Sequence, residues 1–204
     1  MKTIVVFSPH NDDLEVGLGG TVMKHLLDGY KVVKLVFSAG QMSNPHLKED
    51  VITKRREREA QAVGRKFGYN ETIFYRLTDQ NLKNEISSVA HDVKSLLKNE
   101  KPEKIYVPAS NDTHPDHKAV HNFAKKMFSS SEVYTYEVWS LTDEQHPAVY
   151  VDITPFFKQK LQMMKMFTSE KASMLMQIIP VYFRARKYGR KINVKYAEKF
   201  YKIK

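Results

Sequence analysis

Residues 3–15 read Thr3-Ile4-Val5-Val6-Phe7-Ser8-Pro9-His10-Asn11-Asp12-Asp13-Leu14-Glu15. The first six form a short apolar run rich in β-branched residues, and Pro9 bounds it, the pattern of a buried strand. A histidine and three carboxylates then fall within six residues. Beyond them, Leu18, Val22, Leu26 and Leu27 recur at helical spacing between Gly17 and Asp28, and Gly29 supplies a stop.

The same alternation continues. Residues 31–37, 72–75, 104–107, 133–139 and 149–153 read as strands. Residues 51–67, 86–97, 117–128 and 155–167 read as helices. Residues 39–50 form a polar loop around Gly40, Asn44 and Pro45. Strands alternating with helices predict an α/β fold with a mostly parallel central sheet. No repeat or linker interrupts it, so one domain over 1–204 is expected. Open α/β sheets place their sites at the C-terminal ends of strands. That rule selects the loops after the first and fourth strands.

The composition is ordinary for a globular chain: 204 residues, 42% hydrophobic and 27% charged. It excludes collagen, coiled coil and whole-chain disorder. No apolar run approaches the ~18–20 residues of a membrane span, and the start is too short and too soon interrupted for a signal peptide. Cysteine is absent, which removes disulfides and thiolate metal sites. A soluble cytoplasmic protein is the default expectation. The net charge of +10 is unevenly spread. Residues 158–204 hold 13 Lys/Arg against 2 Asp/Glu, and the first 157 hold 20 against 21. A basic C-terminal region attracts phosphates, nucleic acid or anionic membrane surfaces. The alternative is a solvated, lysine-rich face.

Adjacent carboxylates such as Asp12 and Asp13 repel unless a cation or proton joins them. His10 and a carboxylate three residues on can reach one metal ion, with the intervening carboxylate facing the open side. The second loop, Asn111-Asp112-Thr113-His114-Pro115-Asp116-His117, carries two histidines three apart around an acid. One imidazole can ligate while the other stays near substrate, and the carboxylate can orient a ring through its second nitrogen. Helix capping by acidic residues or Thr113 is the plainer reading of each loop. Two such loops at corresponding strand ends favour the metal. A histidine-aspartate-histidine set without cysteine is an open site that suits Zn2+, and two histidines with one carboxylate also suit Fe2+. The chemistry it describes is metal-assisted hydrolysis of an amide or ester. A non-haem iron redox enzyme and a non-catalytic anion- or nucleic-acid-binding protein are the other classes. The lack of aromatic-glycine RNA motifs counts against nucleic acid.

Residues 8–21, SPHNDDLEVGLGGT, resemble the opening motif of the LmbE-like (PIG-L) N-deacetylases, and His114-Pro115-Asp116-His117 resembles that family's second motif. Arg56-Glu57-Arg58-Glu59 resembles its Arg-x-x-Glu helix, and Ser169 and Tyr196-Ala197-Glu198 resemble its C-terminal signature more weakly. The resemblance implies a Rossmann-like three-layer fold and zinc-dependent removal of acetyl groups from N-acetylglucosamine-type sugars. It implies that His10, Asp13 and His117 bind the metal and that Asp12 is the general base. It makes His114 the group that stabilises the oxyanion or protonates the leaving amine, with Asp116 supporting it. Arg56 would sit near the sugar or its aglycone. Two positions depart from the pattern. Asn11 stands where the family usually has Pro, and Asp112 stands where some members place a mobile Tyr.

Asp79, after the third strand, is a candidate for contacts to sugar hydroxyls. Gly17, Gly19 and Gly20 lack the phosphate-loop spacing and suggest close helix packing instead. His121 shares a helical face with His117, either as a supporting group or as a plain helix histidine. Met163, Met164, Met166, Met174 and Met176 suit flexible packing or an interface, which leaves a homo-oligomer open. Arg184, Arg186, Lys187, Arg190 and Lys191 would suit an anionic part of the substrate.

Overall fold

The computed structural model describes residues 1–43, 46–127, 131–139 and 145–204. Asn44, Pro45 and Phe128, which the sequence reading placed in a loop and at a helix end, lie outside these. The strands are β1 (Thr3–Ser8), β2 (Lys31–Ser38), β3 (Glu71–Leu77), β4 (Lys104–Pro108), β5 (Glu132–Tyr136), β6 (Ala148–Asp152) and β7 (Ala197–Lys202). The helices are α1 (Asp13–Leu27), α2 (Glu49–Phe67), α3 (Leu82–Glu85), α4 (Ala90–Glu100), α5 (Pro115–Lys125), α6 (Phe157–Lys165) and α7 (Lys171–Lys191).

One seven-stranded sheet runs in the order β3-β2-β1-β4-β5-β7-β6. The pairs from β3 through β5 are parallel, and among the described residues only β7 runs against its neighbours β5 and β6. β1 and β2 are buried almost throughout because both faces are covered, which is why they read as continuous apolar runs. One face packs on a core with Leu14, Leu18, Val22, Phe157 and Met163, and the other on a core with Val93, Val120 and Phe123. The three layers and the mostly parallel sheet are those expected. The chain winds from β1 towards β3 in one direction and from β4 towards β5 in the other. The β1/β4 boundary is therefore the switch point where a crevice forms beyond the strand ends.

Several boundaries differ from the reading. α1 begins at Asp13, so the acidic loop is also the helix's first turn, and it kinks at Leu18 (φ −140°). The kink leaves the amides of Gly20 and Thr21 to the Glu198 carboxylate, at 3.1 and 2.8 Å. The glycines there answer to packing: a Cβ on Gly20 would stand 2.7 Å from Ile153 Cβ. The helix expected over 86–97 is two pieces, a 3-10 turn over Ile86–Val89 and α4, with the short α3 just before them. β5 stops at Tyr136, where pairing ends, rather than at Trp139. α7 and β7 carry no period that the sequence reading caught.

Candidate active site

His10, Asp12 and Asp13 follow β1, and His114, Asp116 and His117 follow β4, so the switch point brings both loops together. Pro115 opens α5, and the His114 ring caps it by accepting the Asp116 N–H at Nδ1, 3.1 Å. That bond puts the proton of a neutral His114 on Nε2. The first loop is pinned from below. Lys34, fully buried on β2, donates to the Asn11 carbonyl at 2.5 Å and to both Glu15 oxygens at 3.0 and 2.8 Å. Tyr69 adds a hydroxyl to Glu15 at 3.1 Å.

Three side-chain atoms converge at the centre. Asp13 Oδ2 lies 3.2 Å from His10 Nδ1 and 3.4 Å from His117 Nε2, and all three residues are buried. The far nitrogen of each ring faces carboxylates. His10 Nε2 lies 3.3 Å from Asp79 Oδ1 and 3.4 Å from Asp116 Oδ2. His117 Nδ1 lies 3.0 Å from Asp112 Oδ2. Neither His117 nitrogen makes an aligned hydrogen bond despite these approaches. Two imidazoles and a carboxylate aimed at one point, with carboxylates behind both rings, fit a divalent metal with an open position.

The titration pattern agrees with that fit. Burial would lower His10, but Asp13, Asp116 and Asp79 hold it well above the ordinary histidine value. Burial would likewise lower His117, but Asp13 and Asp112 raise it to about 9. Asp13 would be raised by burial, yet His117 and His10 keep it well below the usual carboxylate range. His114 goes the other way, lowered by burial and by the charges of His10 and His117. It is the neutral imidazole of the set.

A cleft of about 210 Å3 opens over these groups. His10, Asp12, Asp13, Arg56, Asp79 and His114 line it, together with Gln80, Trp139, Glu170 and Ser173. Arg56 spans it underneath, with Nη2 3.3 Å from Asp12 Oδ1 and Nη1 3.0 Å from Glu170 Oε1. Glu59, one helical turn on, accepts from the Ser169 amide and hydroxyl at 2.9 and 2.5 Å.

The family described as PIG-L, GlcNAc-PI de-N-acetylase, matches residues 5–128, which contain both motif loops. The chain belongs to the PIG-L family. A relative of the chain, the diacetylchitobiose deacetylase of Thermococcus kodakarensis, is 23% identical over 97% of this chain and 82% of its own. Among solved structures, the N,N'-diacetylchitobiose deacetylase of Pyrococcus horikoshii superposes with a TM-score of 0.85 at 23% identity, covering 98% of this chain and 82% of that one. A 4-carboxy-2-hydroxymuconate hydratase from Pseudomonas putida superposes with a TM-score of 0.84 at 18% identity, covering 100% and 97%. The fold is therefore shared with different chemistry, and the reaction has to be argued from the site.

His10, Asp12, Asp13, Arg56 and His114 line this cleft, with Asp116 and His117 behind them, whereas Glu198 of the C-terminal signature instead accepts from the Gly20 and Thr21 amides. Two supporting contacts differ from expectation. Asp116 supports His114 through its backbone N–H; its carboxylate instead accepts from the Gln80 and Leu82 amides at 2.8 and 3.3 Å and faces His10. Asp79 lines the cleft but also stands behind His10. His121 Nδ1 meets the Pro108 carbonyl at 2.8 Å, away from the cluster of His10, Asp13 and His117. None of the five basic residues expected to hold an anion lines the cleft. Arg184 donates to the Val138 carbonyl at 2.8 Å and Arg186 to the Lys195 carbonyl at 3.2 Å. The sequence reading missed Asp112 as the partner of His117, and Glu170. Asp112 had a local signal, since its carboxylate accepts the His114 amide at 2.9 Å in a two-residue turn.

Proposed function

We propose that this protein is a zinc-dependent N-deacetylase acting on an N-acetylglucosamine-type amino sugar or sugar conjugate. The observation that carries the reading is the convergence of His10 Nδ1, Asp13 Oδ2 and His117 Nε2 beneath a cleft that also holds Asp12 and His114. Two histidines and one carboxylate would hold Zn2+, with Fe2+ as the alternative. Bound there, the metal would act as a Lewis acid that makes water acidic enough to attack near neutral pH.

The chain's own groups do the rest. Asp12 sits beside the ligands without belonging to them and takes the proton of the attacking water. Arg56 holds its carboxylate in place. His114, with Nδ1 tied to the Asp116 amide, presents Nε2–H to the oxygen that gains charge as the acetyl carbon becomes tetrahedral. The C–N bond then breaks as the nitrogen takes up the proton that Asp12 received from the water, leaving acetate and a free amine. Asp79 and Asp116 keep the His10 ring in place, and Asp112 does the same for His117.

The cleft's charged lining is acidic apart from Arg56 and the histidines, and Arg56 is already paired with Asp12 and Glu170. A neutral sugar conjugate fits it better than a phosphorylated one. A cytoplasmic location accords with a chain free of cysteine. The test is acetate release from a panel of N-acetylglucosamine, diacetylchitobiose, N-acetylated sugar lipids and nucleotide sugars, before and after chelation. Chelator-sensitive, metal-restored acetate release from a neutral sugar is expected. Ester or other amide hydrolysis without any acetate release from the sugars would overturn the assignment.

A further inference from the structure

α7 is apolar on two faces, and only one of them is covered. Met174, Val181, Ala185 and Tyr188 turn inward and are buried. On the outside, Leu175, Met176, Ile179 and Phe183 are 58%, 70%, 62% and 66% exposed, with Tyr182 beside them. A helix that is apolar all round is ordinarily buried all round, and a contiguous exposed patch of this kind marks an interaction surface. The outward line continues along the helix into Lys187, Arg190 and Lys191, all exposed. Residues 171–197 contain seven Lys/Arg and no Asp/Glu.

This combination selects the occupant. A second copy docked antiparallel through the same face would set the basic turns of each helix against the apolar turns of the other, with no acidic residue of α7 to meet them. A bilayer with anionic headgroups matches both halves: its acyl boundary takes Leu175, Met176, Ile179 and Phe183, and its phosphates take the basic end. No helix among the described residues is long and apolar enough to cross a membrane, so the contact is one of a helix lying on the surface. The face also adjoins the cleft, since Glu170 and Ser173 at the start of α7 line it beside the half-exposed Trp139.

We propose that the outward face of α7 docks the protein on an anionic lipid surface, with the mouth of the cleft next to that surface. The inference does not depend on which sugar is deacetylated.

The test is co-sedimentation of the full chain with phosphatidylcholine vesicles with and without phosphatidylglycerol, at low and high salt. Binding is expected only to the anionic vesicles and is expected to weaken with salt. Replacing Lys187, Arg190 and Lys191 together by Gln should weaken it about a hundredfold. Ile179→Ser with Phe183→Ser should weaken it at least about tenfold. Both variants should keep the circular dichroism and acetate release of the parent, since none of these residues lines the cleft. Failure to bind anionic vesicles, or equal binding by both variants, would overturn the proposal. So would a parent dimer in light scattering that the Ile179/Phe183 variant converts to monomer, because a second copy would then be the occupant.

Discussion

Asp112 Oδ2 lies 3.0 Å from His117 Nδ1, and both side chains are fully buried. The carboxylate stands directly behind the ring, whose Nε2 faces Asp13 on the other side. On the proposed metal site, Asp112→Ala should weaken divalent metal binding about 10–100-fold, as loss of a carboxylate behind a ligating histidine usually does. Competition with a chromogenic chelator reads this directly. Unchanged affinity would mean that His117 is oriented by packing alone.

Lys34 and Glu15 form an ion pair with no exposure on either side chain. Burial raises Glu15, and Lys34 counters that rise. Lys34→Met leaves Glu15 buried without its cation and frees the Asn11 carbonyl. We expect a loss of about 3–5 kcal/mol in denaturant unfolding. The same variant should lower metal affinity, because the loop carrying His10 and Asp13 loses its anchor.

Gly20 stands where α1 crosses Ile153, and a methyl group there would meet Ile153 Cβ at 2.7 Å and Cγ2 at 2.8 Å. Gly20→Ala should cost about 1–3 kcal/mol, despite alanine's higher helix propensity. Gly29, with φ +79° and open space around it, should resist alanine for backbone reasons instead. Thermal unfolding of the two variants checks both.

His25 is buried against Tyr30 and bonded to the Tyr106 hydroxyl at 2.8 Å. Burial, then the charge of Lys104, lowers it from the ordinary 6.5 to about 4. Below pH 6.5 the unfolded chain takes up this proton and the folded chain does not. Stability is therefore lost as pH falls from about 6.5 to about 4, by at most ~3 kcal/mol from this group. His25→Phe should remove that part of the acid sensitivity. The difference in unfolding free energy between parent and variant at pH 7.5 and pH 4.5 measures it.

Much of this architecture was legible in the sequence, for physical reasons that also mark the gaps. β1, β2 and β4 are covered on both faces, so burial writes itself as unbroken apolar runs, and the rule for strand ends then points to both motif loops. The acidic loop hid the true start of α1, because Asp13 is buried between His10 and His117 and Glu15 against Lys34, rather than by apolar periodicity. α7 escaped because its outward apolar face blurs the helical period and its basic end resembles a solvated surface. The pairings that build the cleft, Arg56 with Glu170 and Glu59 with Ser169, join residues more than a hundred positions apart. Each partner looked ordinary in its own neighbourhood.

In the proposed reaction Asp12 moves the proton while His10, Asp13 and His117 hold the metal. Metal content and acetate release from an N-acetylated sugar, measured together on Asp12→Ala, separate the two roles. Asp12→Ala should keep the parent's metal stoichiometry and lose at least about a hundredfold in turnover. Full turnover by this variant, or loss of the metal with Asp12, would contradict it.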